Sequence, residues 1–451
     1  MSVEYRIRKI RRQLEQAQNP SLKFPLDPVT FAQEILGFNP LPYQANLLRD
    51  QNKRIVVRMS RQAGKTTTIA VRATWFAATH PKTLTLIVSP SLRQSMIMMD
   101  RVHEFLVGMK RECRRNLIGK LQRTVVWLKN GSQIVALPNS PNLLRGYAAH
   151  QVICDESAFF REDELVFYNV LYPMLATTDG CLIASSTPWG KDTVFYKMSG
   201  NPSFSKHVVT WQDVVKAGLV KREFIGEMQR TLPPERFSRE FEAQFVEDAD
   251  SYFTQDLIAR CIDANLEYLD FGLRPQGSYY VGVDFGKKID FSVVAVVDVK
   301  DSVKNLVHIR QFPLETPYAS VIGYVKTIST RWSHVARVIC DRSGVGEYIV
   351  EDMKKSGIPS VEGETLTLPR KEEILSFMKQ EMLQGRVVFP YDSELITEIN
   401  IEEFQLTKEG RIRFSHPEGS HDDRLWALAL ACWASRGAGI DQSRPIAKSL
   451  S

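Results

Sequence analysis

The first residues that can do chemistry are Ser60-Arg61-Gln62-Ala63-Gly64-Lys65-Thr66. They follow an apolar run over residues 54–59 and open a stretch, residues 67–78, that can continue as a helix. Strand, tight loop, Gly-Lys-Thr and helix is the context a phosphate-binding loop requires. Backbone N–H groups at a helix N-terminus point at anionic oxygens, and the helix dipole adds to the attraction. Lys65 would reach the outer phosphates and the Thr66 hydroxyl would ligate magnesium. Met59 stands where the first glycine of G-x-x-x-x-G-K-[ST] belongs, so the match is partial, and a chance Gly-Lys-Thr after a strand is the competing reading.

A second signal is the apolar run over residues 151–156, which ends in Asp155-Glu156. In a Walker B strand the aspartate holds magnesium through water and the glutamate orients the attacking water. Acidic pairs at strand ends are common, so this one gains meaning from the loop upstream. Residues 180–188 form a further apolar run ending in Ser185-Ser186-Thr187. Hydroxyls at such a strand end can sense a γ-phosphate, or simply start a turn. Gln44, just after Pro40 and Pro42, can read an adenine edge with its paired donor and acceptor, or lie on a surface helix.

The second half carries a different constellation. Asp284 and Asp341 end apolar runs, and Asp422 and Asp423 open a late helical stretch, residues 421–433. Converging on one sheet edge, these acids would hold two metal ions about 4 Å apart, the arrangement of a two-metal phosphodiesterase. Hard oxygen ligands suit magnesium or manganese. Each acid also has an ordinary reading: Asp422 and Asp423 as helix N-caps, Asp341 as the opening of a turn. Asp290 is either an outer-shell group or a turn residue, and His421 either assists a bound water or caps.

The elements that must position these groups read as two architectures. In the first half strands alternate with helices, which implies a mainly parallel sheet with its ligand at the carboxyl edge. Residues 84–90 are a strand, 100–119 helical, and 124–136 a hairpin turning at Asn130-Gly131. Residues 211–247 are helical and charged, a small lid or linker. The second half opens with an antiparallel meander (279–286, 290–299, 305–311), then a helix over 316–332 and a strand over 335–341. The expected division is 1–204, a lid over 205–255, a second domain over 256–437, and a Gly-, Ser- and Pro-containing tail over 438–451.

With 451 residues the chain calls for two or three cores. Its 43% hydrophobic and 24% charged residues are those of a globular protein, and its net charge of +6 tolerates a polyanionic partner. The six cysteines form no C-x-x-C pair, and Cys154, Cys181 and Cys340 lie in apolar runs and read as buried core residues in a reducing compartment. No run has the length of a membrane span, and the basic stretch at 1–12 lacks the apolar segment of a secretory signal.

In combination these residues resemble the large terminase subunit of tailed double-stranded DNA viruses, an ATP-driven packaging motor with its own nuclease. The resemblance runs from Tyr43-Gln44 to the helix after Asp423. It rests on a phosphate loop of the form S-R-Q-x-G-K-T, on Leu144-Arg145-Gly146 before the Asp155-Glu156 strand, on Ser185-Ser186-Thr187, and on the acids at 284, 341 and 422/423. It implies an α/β chain with three parts: a P-loop (RecA/ASCE-like) ATPase domain with a mainly parallel sheet, a helical lid, and an RNase H-like nuclease domain with a mixed sheet. ATP would be held by Gln44, by Ser60, Arg61, Gln62, Ala63, Gly64, Lys65 and Thr66 of the loop, and by Asp155. Arg61 would act in cis as an arginine finger, Glu156 as the catalytic carboxylate, and Thr187 as the coupling residue. Magnesium would sit on Thr66 and Asp155, and on Asp284, Asp341 and Asp422 or Asp423, with manganese able to substitute in the nuclease.

Implied partners are concatemeric viral DNA, the portal of the prohead, a small terminase subunit, and further copies of the chain in a ring on the portal, with a monomer free in solution. The implied location is the host cytoplasm, transiently at the portal vertex and not in the mature virion. Cutting would show little sequence preference, since nothing resembles a base-reading helix module. Three rival readings remain: a P-loop helicase or translocase, which needs a second RecA-like domain; an RNase H-like resolvase or transposase, which leaves the P-loop unexplained; and a non-enzymatic DNA-binding scaffold.

Overall fold

A computed structural model describes residues 24–246, 251–286, 288–343, 347–358, 360–407, 411–417 and 420–438. The basic stretch at 1–12 and the tail beyond 438 lie outside them. The first sheet holds β1 (Arg54–Met59), β2 (Leu84–Ser89), β3 (Ile118–Leu121), β4 (Val125–Leu128), β5 (Gln133–Pro138), β6 (Gln151–Asp155), β7 (Cys181–Ser185) and β8 (Ser205–Val209). Their order is β3-β4-β5-β2-β6-β7-β1-β8. The six strands from β5 to β8 run parallel, and β3-β4-β5 is an antiparallel edge. The central strands are buried on both faces, which is why they read as unbroken apolar runs. The β4–β5 turn falls at Asn130-Gly131, as expected from the dipeptide, with Gly131 at φ +87°.

Two details differ from the sequence pattern. The helix expected over 100–119 begins earlier, at Leu92, because Ser91 accepts from the Gln94 N–H and caps it; it stops at Gly108, and Arg111–Leu117 is a separate helix running into β3. Residues 205–209, assigned by sequence to the lid, bond along β1 as the sheet's edge strand. Past β8 come three short helices, Trp211–Lys216, Arg222–Thr231 and Pro234–Phe241, gathered on a small core of Ile225, Phe237 and Phe241.

The second sheet has β9 (Tyr279–Asp284), β10 (Val293–Lys300), β11 (Val303–Gln311), β12 (Val335–Asp341), β13 (Val361–Glu364) and β14 (Val387–Val388), in the order β13-β12-β9-β10-β11-β14. The β9-β10-β11 meander is antiparallel, and β12 lies parallel beside β9. The helix Asp423–Ala434 packs directly on β9. A Cβ at Gly282 would overlap the Ala427 carbonyl oxygen and the Ala431 nitrogen, so only glycine lets this alanine-rich helix lie so close. A hairpin of β15 (Glu403–Leu406) and β16 (Ile412–Ser415) precedes it.

The two halves share packing. Phe159, just after β6, stacks on Trp189 at 4.8 Å and meets Tyr391 of the second half at 5.2 Å. One buried cluster runs from Val56 and Leu182 of the first sheet to Leu395 and Trp426. All six cysteines are free; Cys154 and Cys340 are buried in their strands as expected, whereas Cys181, at the start of β7, is only half-buried.

Candidate nucleotide and metal sites

Because β1, β6 and β7 are parallel neighbours, their carboxyl ends bring three motifs to one edge: the loop at 60–66, Asp155-Glu156, and Ser185-Ser186-Thr187. Met59, in the place of the missing glycine, is the buried last residue of β1. Gly64 takes φ +76°, and a Cβ there would lie 2.6 Å from the Gln44 amide nitrogen. That nitrogen donates to the Ala63 carbonyl at 3.1 Å, and the Gln44 Oε1 accepts from the Leu41 N–H at 2.9 Å. Gln44 is thus buried beneath the loop and shapes it, rather than presenting its amide to a base in the open cavity.

Lys65 Nζ donates to Glu156 Oε1 at 2.7 Å and lies 3.4 Å from Asp155 Oδ1. Burial alone would favour its neutral form, but the two carboxylates outweigh this and hold the ammonium charged. Asp155 Oδ1 accepts from the Ser185 hydroxyl at 2.8 Å. Glu156 sits in the left-handed region, φ +51°, and its Oε2 accepts from the Ser186 hydroxyl at 3.2 Å and the Thr187 N–H at 3.3 Å. A non-glycine residue held there stores strain of the kind that collects at active sites. Thr187 therefore touches Glu156 through its backbone, and Ser186 supplies the hydroxyl.

The Arg61 guanidinium forks onto the Glu240 carboxylate of the lid through Nε and through NH2 at 3.1 Å, while its backbone N–H donates to the Glu240 carbonyl at 2.8 Å. It still lines a cavity of about 540 Å³, a size that suits a nucleotide. Opposite the loop the cavity is walled by Tyr391, Ser393 and Thr397 of the second half. The loop, the buried lysine and the carboxylate pair are donors suited to a triphosphate with its magnesium.

The second site sits at the carboxyl ends of β9 and β12. Asp284 is held well above the usual carboxylate range, first by burial and then by Asp423, Asp341, Asp422 and Asp290 around it. Asp423 is pushed up to about 7 by burial, against the N–H of Phe291, which donates to its Oδ2 at 3.2 Å. Asp341 accepts from the Ser343 N–H at 2.8 Å and hydroxyl at 2.6 Å, so it also shapes the turn. Asp422 faces elsewhere: its Oδ2 accepts from Trp426 Nε1 at 2.8 Å and lies 3.2 Å from His416 Nδ1. Burial opposes its charge, but His416 more than offsets this and keeps the carboxyl below its ordinary range. Of the pair, Asp423 is therefore the one directed to Asp284. An acid-only donor set short of positive charge fits hard divalent cations.

A pH dependence follows. Without metal, Asp423, pushed up to about 7 by burial, holds a proton below neutrality, and a cation must displace it. Mn²⁺ affinity, measured by calorimetry at pH 6, 7 and 8, should rise with pH by up to about tenfold per unit below 7 and then level; an affinity flat from pH 6 to 8 refutes it. The metal-free fold moves oppositely. The folded Asp423 carboxyl binds its proton more tightly than the unfolded chain does, so its contribution to stability is lost as pH rises from about 4 to about 7.

Sequence reasoning did not single out Glu240, Tyr391 or Arg424, and within Ser185-Ser186-Thr187 it gave the coupling role to Thr187 alone. Arg424, next to Asp423, donates its N–H to Glu398 Oε2 at 2.6 Å and turns its guanidinium to Glu394, to Asp392 at 3.5 Å and to Gln311 Oε1 at 3.0 Å. Only the adjacency to the two aspartates marked it in the text.

Comparison with known proteins finds large terminase subunits over most of the chain. Residues 57–260 match the profile of the terminase large subunit family, T4-like-virus type, N-terminal part. The large terminase subunit of Thermus virus P23-45 is 28% identical over 442 residues, 88% of each chain; that of Thermus phage G20c is 27% identical over the same extent. Among solved structures, the large terminase ATPase domain of Thermus phage P74-26 is 24% identical, covering 48% of this chain and 97% of that one at a TM-score of 0.42. The fold is α/β: a mostly parallel eight-stranded sheet with the loop at 60–66 on its edge, three short helices, then a mixed six-stranded sheet. With both motif sets in place, the chain is similar over most of its length to large terminase subunits.

Proposed function

We propose that the chain is the motor subunit of a viral DNA-packaging machine, hydrolysing ATP to drive double-stranded DNA into a prohead and cutting concatemeric DNA. The observation that carries this is the pairing of a P-loop edge with an acid-only edge in one chain, joined through shared packing. A helicase reading lacks its second RecA-like sheet, and a resolvase reading leaves the first sheet idle.

In the first site Lys65 and the loop N–H groups neutralise and orient the triphosphate, and Glu156 orients the attacking water. Glu156 is released for that task only when ATP draws Lys65 away from it, so substrate arrival itself frees the carboxylate. Ser186 and Thr187 follow Glu156 through their hydrogen bonds, which links the chemistry to the segment after β7. Arg61 stabilises transferred charge once it leaves Glu240, which ties that step to lid movement.

In the second site Asp284, Asp341 and Asp423 would hold Mg²⁺ or Mn²⁺ ions, which supply an activated water and stabilise the leaving oxygen. The chain's own part there is to keep the three carboxyls converged by seating Gly282 under the terminal helix. Portal, small terminase subunit and a ring of like chains are the proposed partners, and the host cytoplasm the proposed location.

The test combines purified chain, portal-bearing proheads and linear DNA. ATP-dependent protection of DNA from added nuclease is expected. ATP hydrolysis and plasmid cutting without any protected DNA would remove the packaging reading and leave two uncoupled hydrolases.

A further inference from the structure

A second group of metal-type donors gathers around Asp422 at the foot of the β15–β16 hairpin, beside the Asp284–Asp423 edge. Glu402 immediately precedes β15, His416 immediately follows β16, and Asp422 stands at the N-cap of the terminal helix. One ligand atom from each lies within 4.8 Å of the other two. Donors about 2.0–2.2 Å from a first-row ion lie about 3.3–3.6 Å apart in a tetrahedron, so these three would draw in by roughly 1 Å on binding.

A second observation is independent of that clustering. Glu402 is 1% exposed, and its Oε2 has no hydrogen-bond partner among the described residues. A buried carboxylate oxygen without a donor is costly, and a cation would supply the missing partner. The other cation nearby, Lys371, lies over the Trp426 ring at 4.9 Å and leaves that oxygen unpaired. The remaining donors are already oriented. Trp426, buried in the core, fixes Asp422 through its indole N–H at 2.8 Å, and His416 Nδ1 is 3.2 Å from the same carboxylate. The His416 side chain is 34% exposed, so an ion can arrive from solvent.

We propose that Glu402, His416 and Asp422 form a metal site separate from the nuclease edge, taking one borderline divalent ion of the Zn²⁺ or Co²⁺ class. An imidazole among two carboxylates favours such ions over magnesium. Two carboxylates, a neutral imidazole and a dication sum to zero charge, as a partly buried site requires. The ion would pin both ends of the hairpin to the start of the helix that carries Asp423, and so brace the nuclease edge without belonging to it.

The test uses the full chain carrying Asp284→Asn, which weakens the nuclease edge while leaving these three residues intact. After chelation and dialysis against micromolar Zn²⁺ or Co²⁺, metal is counted by mass spectrometry and the thermal midpoint is recorded. One ion per chain should remain, with a rise in the midpoint and, for cobalt, visible absorption of a low-coordinate nitrogen-containing site. Adding Glu402→Gln should weaken binding by about 10- to 100-fold and cancel the rise. His416→Gln, at a half-exposed position that the fold tolerates, should do the same and carries the test if the buried glutamine variant fails to fold. No retained ion in the Asp284→Asn chain, or retention unaffected by these substitutions, overturns the site.

Discussion

Lys65→Ala should lower ATP hydrolysis by about 10²- to 10³-fold while Mg²⁺-dependent plasmid cutting stays near the wild-type rate. Removing one preorganised charge from a water-poor phosphate site costs about this much. The Lys65 ammonium is such a charge, buried and fixed at 2.7 Å from Glu156. Asp284→Asn should give the mirror result: cutting falls at least about 100-fold and hydrolysis is unchanged. The amide keeps the shape of the buried aspartate but removes the charge on which a cation depends. Malachite-green phosphate release and plasmid nicking on the same preparations read both. Loss of the two activities together in a folded Lys65→Ala chain would refute the assignment of two independent sites.

Much of this was legible because the chemistry sits at the ends of locally coded strands. Runs such as Arg54–Met59, Gln151–Asp155 and Tyr279–Asp284 are buried on both faces and need no alternation, so each announces itself and places the acid or loop that follows. The hairpin at Asn130-Gly131 is coded by two residues. What was hidden depends on distant partners. Arg61 meets Glu240 across 179 residues, and no local pattern names that carboxylate.

Strand β8 is half-buried with a polar surface, Ser205, Lys206 and His207 among its five residues, because it is an edge strand; in text it looks like linker. The choice between Asp422 and Asp423 was undecidable by type. It turns on helix phase: the residue at the N-cap points to His416, and the next one meets the N–H of Phe291. Gln44 shows the converse, a glutamine whose paired donor and acceptor suited a base but are spent on Leu41 and Ala63.

Arg424→Ala should disturb both sites at once, which neither Lys65→Ala nor Asp284→Asn does. The helix Ser393–Asn400 has two working faces. Ser393, Ile396 and Thr397, spaced as one helical stripe, wall the nucleotide cavity, whereas Glu394 and Glu398 on the adjoining stripe engage Arg424. Arg424 in turn follows Asp423 directly in the chain. Burial pushes Glu398 up to about 8 even with Arg424 beside it, so removing the guanidinium raises it further and the helix loses its anchor to the nuclease edge.

Losing the hydrogen bonds of this charged group costs about 2 kcal/mol, which lowers the melting midpoint of a domain this size by roughly 4–8 °C. Plasmid cutting should fall, and the apparent affinity for ATP should change by about fivefold or more, the usual size of coupling between linked sites. Reciprocity then requires a nonhydrolysable ATP analogue to shift Mn²⁺ affinity in the wild-type chain by a matching factor, and Arg424→Ala to erase that shift. An Arg424→Ala chain with cutting impaired and ATP affinity untouched would show that the helix walls the cavity without transmitting anything through it.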